Sequence, residues 1–191
     1  SEGGRAGYPQ TVPGLKEGMK EPYHIRLAEE HDLEFIKRTC DSANERSLVT
    51  RKRDEPFWRF LISSPINHRA VRVIETPKGD PVGVLVHRGR LRGGRFSLHR
   101  YDLARGHSWP AVTPSVIRYV NRTGEEYATG DGGQLSRFWF LVGSEHPAFR
   151  GMESYLPTVE KPYAWYIRVP DIPGFIRHIA PVLERRLAES A

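Results

Sequence analysis

Arg105-Gly106-His107-Ser108-Trp109-Pro110 lies between an alternating segment and an apolar helical one. Two chemistries use such residues at a strand-to-helix junction. Small residues there let backbone N–H groups close on an anion at the positive end of the helix dipole. Alternatively, a serine in Gly-x-Ser-x-Gly forms a nucleophile elbow. Gly106-His107-Ser108-Trp109-Pro110 meets that second pattern except at its last position, where proline replaces glycine. The helical spacing, taken to start at Thr113-Pro114, begins about five residues too late for an elbow. The flanking strands also read as hairpins rather than βαβ units, which argues against a serine hydrolase. The eight histidines show neither His-Glu-x-x-His nor paired spacing, so no metal site is expected. His107 itself reads as a loop residue bonded to backbone.

The elements that must position this loop follow from periodicity. Residues 1–22 are rich in Gly and Pro and read as a linker or arm. Tyr23 to Leu27 is a short strand. Leu33, Ile36, Cys40 and Ala43 share one helical face, with Asp32 placed to cap it. Asp54 to Ile62 suggests a second helix whose bulk comes from Phe57, Trp58, Phe60 and Leu61. Val71–Glu75 and Val82–Val86 flank a turn at 76–81, the clearest hairpin signal in the chain. Phe96 to Leu103 alternates as a third strand. Its pattern places Phe96, Leu98, Arg100 and Asp102 on one side, and Ser97, His99, Tyr101 and Leu103 on the other.

Thr113-Pro114 marks a helix start, since Thr caps and Pro suits the first turn. Val116, Ile117, Val120 and Tyr127 supply that helix's buried face. Gly130 to Gly133 is a turn. Phe138 to Val142 is wholly apolar, as a strand buried on both faces would be. Tyr163 to Val169 alternates as another strand, and Phe175, Ile176, Ile179, Val182, Leu183 and Leu187 form an amphipathic final helix. Trp139, Trp165 and Tyr166 read as sheet packing. The order β-α-α-β-β-β-α-β-α-β-α is an α+β pattern around one mixed sheet.

Composition narrows the function classes. The chain of 191 residues suffices for one substantial core and has no apolar run of membrane-spanning length. A single cysteine, Cys40, forms no internal disulfide, which fits a reducing, cytoplasmic setting. The net charge of +6 suits an anionic partner. The densest basic run, His87 to Arg95, is interrupted by glycine and reads as a solvated hairpin tip whose arginines could touch phosphates.

This order of elements resembles the N-acetyltransferase superfamily commonly called GNAT, over about residues 23 to 169. Ser47-Leu48-Val49, Arg53-Asp54-Glu55, Trp109 to Tyr119 and Pro162 to Asp171 are similar to the second of two tandem modules in the enhanced intracellular survival acetyltransferases. Gly3 to Tyr8 resembles the tail of a first module. The resemblance implies a GNAT-like α/β fold, with a central, mixed but mostly antiparallel sheet flanked by helices. It implies three parts: residues 1–22 as linker from an upstream module, 23–170 as the GNAT-like domain, and 171–191 as a helix leading to a sterol-carrier-like domain. The N-terminal Ser1 is what a piece excised from a longer protein would show.

For the site, the resemblance implies acetyl-coenzyme A in a splay between two central strands. Its diphosphate would lie on Leu103, Ala104, Arg105, Gly106, His107 and Ser108. A base accepts the amine proton and a tyrosine often protonates the leaving thiolate, which points to Glu145, His146 and Tyr155 just after the apolar strand. The same residues also read as core packing for Tyr155 and a helix-start turn for Glu145-His146-Pro147. The family's loop reads Arg/Gln-x-x-Gly-x-Gly/Ala. Here one glycine remains, but Trp109 and Pro110 stand where small N–H donors belong, and proline has no N–H. Arg92-Gly93-Gly94-Arg95 is rich in glycine too, but it precedes a strand and lacks a helix dipole.

Two readings from different classes follow. One is an acetyl-coenzyme A-dependent N-acetyltransferase acting on a small amine or a protein amino group. The other is a non-catalytic module of that fold, which scaffolds an active first module and shapes its substrate cleft or a homo-oligomer. The loop chemistry favours the second. Nucleic-acid binding ranks third, because the aromatics sit in apolar runs rather than on an interleaved basic face.

Overall fold

The computed structural model describes residues 3–46, 50, 53–63, 69–130, 133–163 and 169–190. The hairpin read from the sequence forms the middle of one mixed sheet. Strands β3 (Arg69–Glu75) and β4 (Pro81–Arg88) pair antiparallel with Val71 opposite Val86. Their turn closes through Thr76 N–H to the Asp80 carbonyl, and Gly79 supplies the left-handed φ of +90° that it needs. With β1 (Gly4–Gly7), β2 (His24–Leu27), β5 (Arg95–Leu103), β6 (Arg137–Phe140) and β7 (Thr158–Glu160), the order across the sheet is β2-β3-β4-β5-β6-β1-β7. The β5–β6 pair is parallel and the other pairs are antiparallel.

Each sheet face carries one core. Helix α3 (Trp109–Gly130) covers one face with Val112, Val116, Ile117 and Val120 against Leu85, Phe96, Leu98 and Phe138. Helices α1 (Leu33–Asn44) and α2 (Glu55–Ser63) cover the other, packing Ile36, Cys40 and Trp58 against Val71, Val73, Val84 and Val86. Helix α4 (Ile172–Glu189) buries only Ile179 and leaves Ile176, Leu183 and Leu187 exposed.

Several sequence expectations are corrected. The alternation read along Phe96–Leu103 breaks at a β-bulge. Val86 pairs with Arg100 and His87 with Leu98, so His99 is the extra residue. Parity flips there, bringing Phe96, Leu98, Tyr101 and Leu103 together in the α3 core while Arg100 and Asp102 turn towards α1. Helix α3 starts at Trp109, four residues before Thr113. Proline is tolerated at Pro114 because its missing amide forfeits only a bond to the carbonyl of exposed Pro110, while the Thr113 hydroxyl donates to the Trp109 carbonyl. Asp32 makes no side-chain cap and instead takes both guanidinium nitrogens of Arg26 at 2.7 and 2.9 Å. Phe60 is 54% exposed rather than part of the core. β6 buries Phe138 and Phe140 but not Arg137 and Trp139, so it alternates instead of being buried on both faces. A 3-10 turn (Pro147–Phe149) stands where the helix after β6 was expected. Trp165 and Tyr166, and most of the strand expected at 163–169, lie outside the described residues, as do Ser47-Leu48-Val49 and the middle two residues of the turn at 130–133.

The larger difference is at the start of the chain. Gly4–Gly7, within the stretch read as a linker, is an interior strand between β6 and β7, with Ala6 fully buried opposite Trp139. Only small residues fit this lane. A Cβ on Gly4 would fall 1.8 Å from the Phe140 carbonyl oxygen, and one on Gly7 would fall 2.5 Å from a Phe138 ring carbon. Glycine spacing that reads as a flexible arm is therefore a steric requirement of close strand packing. From there residues 8–23 cross to β2 at the opposite edge, held by Arg118, which donates to both Glu21 carboxylate oxygens at 2.6 and 2.8 Å. Burial works against the Glu21 charge, but the Arg118 bonds outweigh it and hold the carboxyl below its usual range. Substituting Gly4→Ala should cost about 3 kcal/mol of stability through overpacking and backbone strain, whereas Gly14→Ala, which meets nothing, should change it by less than about 0.5 kcal/mol. Urea unfolding followed by tryptophan fluorescence checks both.

Candidate functional site

The loop that opens α3 is exposed from Arg105 to Ser108. Leu103 is buried at the end of β5, and the Ala104 amide donates to the Val82 carbonyl at 3.0 Å, so the loop leaves the sheet from a fixed point. Gly106 adopts φ +88°, which lets the chain reverse into the helix. Arg105 bends back to α1, donating to Ser42 Oγ at 2.9 Å and to Glu45 at 2.6 Å. The Ser108 carbonyl accepts from both the Ala111 and Val112 amides at 3.2 Å. Pro110 has no amide. Of the first helical turn, only Trp109 then keeps an N–H that neither the sequence removes nor the loop consumes. Ser108 Oγ and the His107 ring make no hydrogen bond among the described residues, so no nucleophile–base pair forms there.

Beside this loop the two central strands part. The parallel ladder runs from Arg95 opposite Arg137 to Leu98 opposite Phe140, and the Leu141 amide closes it on the Leu98 carbonyl at 2.8 Å. Beyond that point β5 continues through Tyr101 while the chain after β6 turns away. The gap is filled from within. His146 places its ring 5.9 Å from Tyr101, 4.9 Å from Trp109 and 5.8 Å from Phe149, measured between centroids. Its Nε2–H donates to the Tyr101 carbonyl at 2.9 Å, and its Nδ1 accepts from the Ala148 amide at 3.2 Å. Both nitrogens are thus committed, which fixes the tautomer and leaves none to take a substrate proton.

The other expected catalytic residues do not gather around it. Glu145 is exposed, with no ion pair or side-chain hydrogen bond among the described residues. Tyr155 is half-buried and packs against the α3 core, where its backbone carbonyl accepts from Thr11 Oγ1 at 2.8 Å. The structure instead brings together residues that the sequence pattern had not singled out. Buried Asp102 meets Arg100 at 2.5 Å and Arg46 at 3.0 Å, and Arg100 also donates to the Cys40 carbonyl at 3.0 Å. Burial works against the Arg100 charge, yet Asp102 holds its pKa up. Arg46 lies over the Trp109 ring at 5.4 Å and so ties this ion cluster to the loop. Arg100 and Asp102 stand two apart, a one-face signal present in the sequence, but the bulge that gives that face its meaning has no such mark. Burial pushes the Cys40 thiol up to about 12, which makes it inert. Among the described residues no His, Cys, Asp and Glu group could hold a metal ion, and no helix is long and apolar enough to cross a membrane.

Strand order, the bulge in β5, the splay and the crossover helix can be set against known structures. The chain aligns with a ribosomal-protein-alanine N-acetyltransferase from Brucella melitensis biovar Abortus 2308 at TM-score 0.57, with 13% identity, over 78% of this chain and 99% of that one. A possible acetyltransferase from Clostridium difficile 630 aligns at TM-score 0.54, with 12% identity, over 79% and 99%. The chain has the GNAT fold. L-PGS from Bacillus licheniformis aligns at TM-score 0.53 with 12% identity, over 95% of this chain and 64% of that one. No family model matches the sequence, and no curated protein matches it.

The half-buried imidazole gives this site a pH signature. Burial, and then the charge of Arg46, lower the His146 pKa to about 4 from an unfolded value near 6.5. The unfolded chain therefore takes up a proton that the folded one refuses. The stabilisation from neutral His146 is complete above pH 6.5 and is lost as pH falls towards 4. His146→Gln, whose amide can still donate to the Tyr101 carbonyl, should remove about 2 kcal/mol of the difference in unfolding free energy between pH 7 and pH 4.5. Urea titrations at the two pH values measure that difference.

Proposed function

We propose that this GNAT-fold chain is a non-catalytic module of a tandem acetyltransferase. It scaffolds an active module and shapes that module's substrate cleft. The observation that carries this reading is the filled splay. In this fold the ligand's amide groups would have to bond to β5 where the strands part, and the Tyr101 carbonyl there is already held by His146 at 2.9 Å. The loop supports the same reading, because a diphosphate needs several converging N–H groups. Here Pro110 removes one and Ser108 consumes that of Ala111. The residues present do not fit acetyl-coenzyme A, and no acyl-transfer step is assigned to them.

The upstream module, the downstream sterol-carrier-like domain and the acceptor, a small amine or a protein amino group, are parts of the same proposal. They rest on the sequence resemblance. The β1 lane is compatible with it, because residues ahead of the domain are built into the sheet and would fix its orientation to whatever precedes them.

Calorimetric titration with acetyl-coenzyme A tests the proposal. The expected outcome is no detectable heat up to about millimolar ligand, for the natural sequence and for Gly106→Trp alike. Micromolar binding that Gly106→Trp abolishes would overturn it and establish an active-site reading.

A further inference from the structure

Four arginines gather at one end of the sheet, two of which, Arg95 and Arg137, lie over the Trp139 ring at 4.8 and 5.7 Å. Arg69 begins β3, Arg88 ends β4, Arg95 begins β5 and Arg137 begins β6. In the ladder Arg69 lies opposite Arg88, and Arg95 lies opposite Arg137. Arg69 and Arg88 stand two residues from Val71 and Val86 and share their face, while Arg95 and Arg137 adjoin Phe96 and Phe138 and face away from them, which places all four on the α1–α2 side. They form two facing pairs on four adjacent strands, offset by two residues, since the β4–β5 register sets His87 opposite Leu98 and so Arg88 beside Ser97.

The β4–β5 turn extends the row. Gly93 and Gly94, at φ +58° and +70°, make a two-residue turn in which Arg92 and Arg95 exchange backbone hydrogen bonds. That turn is rigid: the Gly94 carbonyl accepts from the Ser136 amide at 2.7 Å and from its hydroxyl at 2.8 Å. Beside it Arg88, Arg90, Leu91 and Arg92 line a cavity of about 400 Å³. One carboxylate approaches the row, Glu160, at 3.9 Å from Arg137.

Like charges set directly opposite each other in a ladder destabilise it. Burial, and then the charges of Arg88 and Arg69, also lower the His99 pKa to about 4, so the crowding reaches the next titratable group on the strand. The Trp139 ring and Glu160 engage Arg95 and Arg137 but leave the positive charge of the four in excess, and an anionic partner would answer it. We infer that the arginine row and its turn bind the phosphodiester backbone of a single-stranded nucleic acid, without sequence preference. Arginine forks match phosphate oxygens two at a time. No large hydrophobic residue of these segments is exposed, since Leu91 is half-buried. A membrane-surface segment needs such residues to insert, and a protein interface needs them at its centre, but a phosphate-reading surface needs neither. The row begins where β5 begins, eight residues from the Leu103 end, so it is independent of the loop that opens α3.

Fluorescence anisotropy with a labelled oligothymidylate of about 20 nucleotides tests the inference. Neutralising phosphates with the four arginines of the row and with Arg90 and Arg92 of the turn implies a log–log salt slope of about −4.2. That is a loss of about three-hundredfold in affinity between roughly 50 and 200 mM salt. Arg90→Ser with Arg92→Ser, at exposed tip positions, should weaken binding at least about tenfold, while Arg185→Ser with Arg186→Ser on α4 removes the same charge and should leave it unchanged. No binding at low salt would overturn the inference, as would equal losses from both double variants. Tighter association with phosphatidylserine vesicles or polyglutamate than with the oligonucleotide would overturn it as well.

Discussion

One short parallel ladder joins this sheet. Every other strand pairing is antiparallel, so the four residue pairs from Arg95–Arg137 to Leu98–Phe140 connect two antiparallel halves. A parallel pair needs a crossover, and α3 is that crossover, lying across the sheet with Val116, Ile117 and Val120 fully buried. The ladder also has to end. The backbone groups of β5 beyond Leu98 on its β6 side lack a neighbouring strand, and buried carbonyls without partners are costly. The molecule meets that demand at Tyr101 with a side chain. His146 donates to the carbonyl while its ring packs on Tyr101, Trp109 and Phe149.

The bulge at His99 and the plug at His146 are two parts of one arrangement. Without the extra residue, Tyr101 would face α1 and Arg100 would face the α3 core, where no acid awaits it. With it, the Tyr101 ring joins the apolar face, its hydroxyl reaches Thr113 Oγ1 at 3.1 Å, and Trp109 packs edge-on at 5.0 Å. Arg100 and Asp102 then share the opposite side with Arg46. A backbone irregularity of one residue thereby sorts an ion cluster from an aromatic cluster along a single strand. Both clusters border the loop that opens α3, through Arg46 on one side and His146 on the other.

Which parts of this were legible in the sequence depends on the range of the forces involved. The β3–β4 hairpin, the apolar face of α3 and the strand Arg95–Leu103 were readable because local period and turn chemistry determine them. β1 was not readable, since four residues with two glycines carry no periodic signal and their strand state comes from β6 and β7, both more than a hundred residues away. The bulge was equally hidden, because two residues facing one is a property of the β4–β5 register. Trp109 and Pro110 were legible as poor anion ligands from composition alone. That Ser108 consumes the Ala111 amide, and that His146 fills the splay, required coordinates. His146 was noticed as a candidate base for its type and position, whereas its hydrogen bonds make it a structural wedge.

The two ends of β5 pose opposite electrostatic problems, and the fold solves them differently. At the Leu103 end, charge is neutralised internally: Asp102 answers Arg100 and Arg46, Glu45 answers Arg105, and the one titratable ring in the splay is held neutral. At the Arg95 end, arginines are paired with arginines. A protein with a net charge of +6 could have spread its excess evenly over a solvated surface, at little cost in repulsion. This one concentrates it in two facing pairs on four adjacent strands and ties the adjoining turn to Ser136. Positive charge is thus answered at one end and stands in excess at the other, where Glu160 and the Trp139 ring are its counterparts. An anionic partner at the Arg95 end, as inferred above, would be met at the opposite end of β5 from the loop that opens α3.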